Sequence, residues 1–170
     1  MTHHHTVPLA VAALISLSAL QGHAAPVGPF TGMAGSWSGG GSLTMANGAQ
    51  ERLRCRADYR VGGSGSEMQL GLRCASASYN FNLAGDIQSD GRAVNGSWSE
   101  TTRNVRGTVS GRVSGDRIQV VARSDSFSAS LTLVTRGIRQ LVTIQPQGTE
   151  ISEVSITLAK GQPTTTGAAR

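Results

Sequence analysis

From Ala34 to Lys160 the chain alternates apolar and polar residues in short runs broken by glycine-containing turns, the period of half-buried strands. The clearest stretch is Glu51–Ala75. Leu53, Cys55, Ala57, Tyr59 and Val61 alternate with Arg52, Arg54, Arg56, Asp58 and Arg60. After a turn cluster at Gly62–Ser66, Met68, Leu70, Leu72 and Cys74 alternate with Gln69, Gly71 and Arg73. Folded about that turn, the two runs set Cys55 opposite Cys74, Ala57 opposite Leu72, Tyr59 opposite Leu70 and Val61 opposite Met68. Every inward residue then meets an inward residue, and a one-residue slip would turn each to the wrong face. Directly opposed strand positions lie within disulfide reach. A cross-strand Cys55–Cys74 bridge is therefore predicted.

The same reading extends along the chain. Ala34–Met45 alternates Gly35, Trp37, Gly39, Gly41 and Leu43, and its glycines predict a strongly bent strand or close backbone packing. Asn47-Gly48 and Asp90-Gly91 are hairpin-turn pairs. Tyr79, Phe81 and Leu83 face one side. Val94, Gly96 and Trp98 lead into Val105, Gly107 and Val109, with Trp98 expected opposite Val105 and Val94 opposite Val109. Further strands carry Ile118 and Val120, then Phe127 to Leu133, then Ile138 to Ile144. The longest connection, Gln145 to Glu153, precedes a last strand carrying Val154, Ile156 and Leu158. These make about ten strands with hairpin-length links and almost no helical signal. The expected fold is all-β, an antiparallel up-and-down meander closed into a barrel, because closure removes unpaired edges. A two-layer β-sandwich is the alternative.

The flanks differ from this pattern. Val7–Leu20 is an apolar run of 14 residues, short for a bilayer span, followed by Gly22-His23-Ala24 with small residues where a signal peptidase reads. Residues 1–24 are expected to be an export signal, an uncleaved anchor being the alternative. Ala25–Gly32 reads as a flexible Pro/Gly arm, 33–160 as the barrel domain and 161–170 as a disordered tail. Export makes the protein periplasmic or secreted, where two cysteines read as a structural bridge.

The net charge is +5, carried by 14 Arg and one Lys against 10 acidic residues. No aromatic residues interleave with the basic ones, so nucleic acid is not an expected partner. Arg52, Arg54, Arg56 and Arg60 line one outer face, and Arg73 falls directly opposite Arg56. Such like-charge opposition is unfavourable unless an anion relieves it. Arg52, Arg54, Arg56 and Arg73 are thus a candidate contact surface for an envelope protein or an anionic surface. A solvated edge kept from aggregating by its charge is the alternative.

Catalytic machinery is sparse. His3, His4, His5 and His23 are the only histidines, and all precede the expected cleavage point. Imidazole-based catalysis, zinc and haem are therefore not expected, nor is any cofactor or metal. No G-x-S-x-G elbow or calcium-type acidic cluster occurs. Glu100 is the one carboxylate sharing the inward face of Trp98, and a carboxylate-based hydrolase is the residual enzymatic reading. A solvated turn residue is its alternative.

Inward parity gathers Trp37, Tyr59, Tyr79, Phe81, Trp98 and Phe127 among small aliphatic residues. Ten strands with small inward side chains should leave space, and Tyr59, Tyr79, Phe81, Trp98 and Phe127 are the expected lining of a site for a hydrophobic small molecule or lipid. A flattened barrel with a dry core is the alternative. An outer-membrane barrel is disfavoured, since outward positions are Arg, Asn, Ser and Thr.

Gly35-Ser36-Trp37 on the first strand resembles the G-x-W signature of lipocalin-like (calycin) barrels, a resemblance that implies carriage of small hydrophobic molecules. With one disulfide and the later Asp90-Gly91 turn, the chain is also similar to bacterial metalloprotease-inhibitor barrels. That likeness implies protease inhibition through the arm Ala25–Gly32. Taken over Glu51–Phe81 and Gly96–Glu100, it resembles small exported bacterial β-barrel proteins of unassigned function. Ligand carriage is the leading expectation, and a protein-interaction or inhibitor role is the second.

Overall fold

The computed structural model describes residues 27–161. It is a closed ten-stranded antiparallel barrel, not a sandwich. The strands are β1 (Gly35–Met45), β2 (Gln50–Val61), β3 (Glu67–Ala75), β4 (Asn80–Ser89) and β5 (Ala93–Glu100), then β6 (Val105–Ser114), β7 (Arg117–Arg123), β8 (Ser128–Arg136), β9 (Arg139–Gln147) and β10 (Ile151–Lys160). Each pairs with its successor, and β10 returns to β1. The expected signal segment and most of the expected tail lie outside the described residues.

Alternation dictates the core. On β2 every second residue from Leu53 to Tyr59 is buried, and the arginines between them are exposed. The β2–β3 register follows the inward-to-inward rule, with Cys55 on Cys74 and Val61 on Met68. The cysteines form a disulfide across that pair, with Cα atoms 4.1 Å apart. Tying residues 19 apart contributes about 3 kcal/mol, chiefly by restricting the unfolded chain.

Closure depends on glycine. At Gly39 and Gly41 a Cβ would overlap the carbonyl oxygens of Thr157 and Ser155, so only glycine lets β1 approach β10 this closely. The first strand is closely packed against its neighbour, one of the two outcomes its glycines predict.

One hairpin differs from the sequence-based expectation. Trp98 pairs with Gly107 and Val94 with Gly111, so β5–β6 sits two residues from the expected register. The shift preserves facing, which is why alternation is blind to it. Turn chemistry decides it. Glu100 stays inside the ladder opposite Val105, and the turn is Thr101–Asn104, with Asn104 at φ 53°. The Glu100 carboxylate accepts the backbone N–H groups of Thr102 and Arg103, which fixes this turn and no earlier one. The β9–β10 ladder ends at Ile144 opposite Val154, so the connection between the two paired strands is Gln145–Glu153 as expected; within it Gln147 still pairs with Ser128 of β8 and Ile151 with Met45 of β1.

The N-terminal arm is not free where it is described. Gly28 and Phe30 donate backbone hydrogen bonds to Ser64 and Gly65 in the β2–β3 turn, and a 3-10 turn follows at Thr31–Met33. Phe30 is fully buried. Its ring and Met33 remove apolar surface from water, and that outweighs the arm's Pro/Gly-rich lack of period.

Candidate functional site

An up-and-down meander puts alternate turns at opposite ends. The β2–β3, β4–β5, β6–β7 and β8–β9 turns surround the end that Phe30–Met33 occludes. There the Trp37 indole N–H donates to the Met33 carbonyl at 2.7 Å, and the Trp37 ring meets Tyr59 edge-on at 6.3 Å. The Lys160 ammonium lies over the Trp37 ring, 5.7 Å from its centroid, and donates to the Gly32 carbonyl. Tyr59 reaches across the barrel, its hydroxyl donating to Gln140 Oε1 at 2.6 Å. Gln140, itself 1% exposed, donates onward to the Thr135 hydroxyl at 3.0 Å. Burial pushes the Tyr59 phenol well above its ordinary value, only partly offset by the bond to Gln140.

Above this packed end the barrel is hollow. A cavity of about 410 Å³ runs from Phe30 up to the loops at the other end. Aliphatic residues of many strands line it, Leu53, Met68, Leu72, Val120, Leu131 and Ile156 among them. Its charged lining residues are Glu100, Arg103 and Glu150, at or beside mouth turns. Among the described residues no buried side-chain polar atom lacks a hydrogen-bond partner. The interior therefore makes no unmet polar demand, and what fits it is apolar.

Aromatic pairs stand near the mouth. Tyr79 and Phe81 stack with centroids 6.2 Å apart and planes 6° from parallel. Trp98 and Phe127 make a tilted pair at 5.7 Å. The Arg103 guanidinium sits 5.2 Å over Phe81 and donates to the Asn80 carbonyl at 3.0 Å. Glu51 anchors the loop that carries Tyr79, accepting from the Ser76 hydroxyl and the Ser78 N–H. These bonds, the Ser76 hydroxyl foremost, hold the Glu51 carboxyl below its ordinary value.

Glu100 is neither a solvated turn residue nor a free base. It is 6% exposed and accepts the N–H groups of Asn82, Thr102 and Arg103 at 2.8–3.0 Å. Burial pushes its carboxyl up, but these bonds and the Thr102 hydroxyl outweigh it and hold the group below its ordinary value. Both oxygens are committed to backbone, which leaves Arg103 only a loose contact at 3.7 Å. Among the described residues no group of three potential metal-ligating side chains occurs.

Of the five expected lining residues, Tyr79, Phe81, Trp98 and Phe127 border the cavity. Tyr59 does not; inward parity is right for it, but its height along the strand puts it in the packed end. Sequence reasoning missed Phe30, hidden in an arm without period, and Arg103, which lies in a turn where alternation has no meaning. On the outside, Arg54, Arg56 and Arg73 border an open groove with Ser38, Asn80, Asn82 and Thr102, whereas Arg52 lies beyond its edge.

Fold and cavity together define a hollow, closed ten-stranded antiparallel β-barrel, occluded at one end. No sequence family matches the chain, and no curated protein matches it. Solved structures do. Rv2717c from M. tuberculosis superposes with a TM-score of 0.63 at 11% identity, over 78% of this chain and 94% of that one. The S-type phycobiliprotein lyase CPES from Guillardia theta superposes with a TM-score of 0.57 at 12% identity, over 78% and 90%. At such identities the likeness is one of fold.

Proposed function

We propose that the barrel binds a small hydrophobic molecule or lipid in its interior, admitted between the loops that carry Tyr79, Arg103 and Phe127. The observation that carries this reading is the cavity of about 410 Å³ with an almost wholly apolar lining. That volume falls within the range of ordinary ligand sites, roughly 300–1,000 Å³. Tyr79, Phe81, Trp98 and Phe127 give the ligand flat apolar faces, and the Tyr79 hydroxyl and Arg103 offer polar contacts at the threshold. A neighbour of this fold, the Guillardia theta protein, is a phycobiliprotein lyase, which is compatible with a barrel that handles a small molecule. The protein acts without catalysis: of the two carboxylates that border the cavity, Glu100 is spent on backbone donors and Glu150 lies exposed in a mouth turn. It works in the periplasm or outside the cell, a placement supported by the disulfide and by the apolar leader.

Native mass spectrometry of the protein purified from its own compartment tests this. Extra mass that disappears on denaturation is expected, together with uptake of a hydrophobic fluorescent dye by the emptied barrel. Phe81→Ala and Tyr79→Ala are expected to weaken dye binding about tenfold or more, while unfolding shifts by only about 1–2 kcal/mol for these half-buried rings. The reverse ranking, or a barrel that takes up no apolar probe, would refute the reading.

A further inference from the structure

The outer face of β2 and β3 is built differently from the rest of the surface. Arg52, Arg54 and Arg56 are exposed at alternate positions of β2, and Arg73 stands directly opposite Arg56. On the β1 side their partners are Ser42, Gly40 and Ser38, too small to cover them. On the β4 side Arg73 is followed by Asn82. Among the described residues the ion pairs are Arg103–Glu100 and Arg136–Asp116, so none of the four arginines has a carboxylate partner. The acids nearest in sequence are engaged elsewhere, Asp58 by the Ser36 hydroxyl and Glu51 by Ser76 and Ser78. Four guanidinium groups held on rigid strands with no carboxylate in ion-pair contact repel one another across the ladder, and an external anion removes that cost.

Position narrows the kind of anion. The arginines occupy the mouth-side half of β2 and β3, and Phe81 and Cys74 border both the basic groove and the apolar cavity. Half-buried Tyr79 stands at the rim beside it, and Phe127 on the far side of the rim. A specific protein interface needs an apolar core with large anchors. The exposed large apolar side chains among the described residues are Val27, Ile138 and Leu141, and none lies on β2 or β3. A face of arginines without apolar anchors, next to an aromatic-rimmed mouth, suits a charged interface whose binding is mainly coulombic. We infer that Arg52, Arg54, Arg56 and Arg73 dock the barrel on an anionic lipid surface, with the mouth turned toward the bilayer. The docking face stands on its own observations; only its purpose, passing an apolar ligand between bilayer and cavity, rests on the function proposed above.

Co-sedimentation with vesicles tests the inference, using phosphatidylcholine alone and an equal mixture with phosphatidylglycerol. Binding to the mixed vesicles only is expected. It should fade as salt rises from about 0.1 M to about 1 M, where the screening length falls from about 10 Å to about 3 Å. Each Arg brought to such a surface strengthens binding on the order of fivefold, so Arg54→Glu with Arg56→Glu should weaken it at least tenfold. Arg73→Gln, which removes one charge and adds none, should weaken it about fivefold. The same double reversal at Arg112 and Arg139, exposed and away from this face, should change it less than about twofold. Far-ultraviolet circular dichroism and unfolding midpoints verify that each variant is folded. Equal loss from both reversals, binding to neutral vesicles, or capture of an acidic protein through these arginines without vesicle binding would overturn the inference. Dye uptake, measured on the same samples, reports the cavity separately. A barrel that binds dye but no vesicle refutes docking alone, and one that binds vesicles but no dye refutes the ligand reading alone.

Discussion

The two ends of this barrel use the same kinds of residue for opposite purposes. At the occluded end Trp37, Tyr59 and Phe30 are nearly or wholly buried, and their polar atoms find partners within the protein. At the mouth Tyr79, Phe81, Trp98 and Phe127 are only half-buried and face a cavity. The difference lies in what covers them. The arm folds back over the first set, bringing Met33 and the Gly32 carbonyl to Trp37 and Lys160. Over the second set lie only loops, tied down by Glu51 and Glu100. Packing at one end supplies stability, and its absence at the other leaves space for a ligand.

Several substitutions should separate the two ends. The largest effect belongs to the packed one: Trp37→Ala should cost about 3–5 kcal/mol, read as a fall in the denaturant midpoint. A loss below about 1 kcal/mol would mean that the occluded end does not carry the fold. At the mouth, Glu100→Gln keeps the shape but loses the charge that three backbone donors share. It should cost about 2 kcal/mol through those donors and shorten the acid limb of stability. The sign follows from the lowered carboxyl: its contribution is complete above the ordinary value of 4.5 and is lost as pH falls through the lower folded value. Glu51, Asp90 and Asp116 are lowered too, so the limb should become shallower without vanishing.

The smallest effect is the most diagnostic for the occluded end. Tyr59→Phe leaves Gln140 Oε1 buried without its donor and should cost about 1 kcal/mol at neutral pH. The raised Tyr59 phenol stabilises the fold below its ordinary value of 10.0, and that stability declines as pH climbs toward the folded value. Unfolding curves taken above pH 10 should therefore fall less steeply for Tyr59→Phe than for the parent. A variant that changes the acid limb instead would misplace the titrating groups.

Much of this was legible along the chain because a strand reports its own two faces. The alternation from Leu53 to Cys74 names the inward side chains, and the requirement that they meet inward partners sets the β2–β3 register and hence the disulfide. The short turns make the meander antiparallel, and the inward aromatics identify most of the cavity's rim. These properties depend on neighbours in sequence or across one hairpin, where the period of two and the turn chemistry suffice.

What needed the folded molecule depends on sums over many strands. Closure of β1 on β10 follows from accumulated twist and from the room that Gly39 and Gly41 leave beside Thr157 and Ser155. Whether ten strands enclose a void or collapse on one another is a balance of side-chain volumes that no single strand contains. Height along the barrel axis separated Tyr59 from the other aromatics, although alternation treats them alike. The burial of Phe30 and the pairing of Glu100 with Val105 likewise arise from contacts between segments far apart or inside a turn. A period carries no information there, and only the assembled surface selects the conformation.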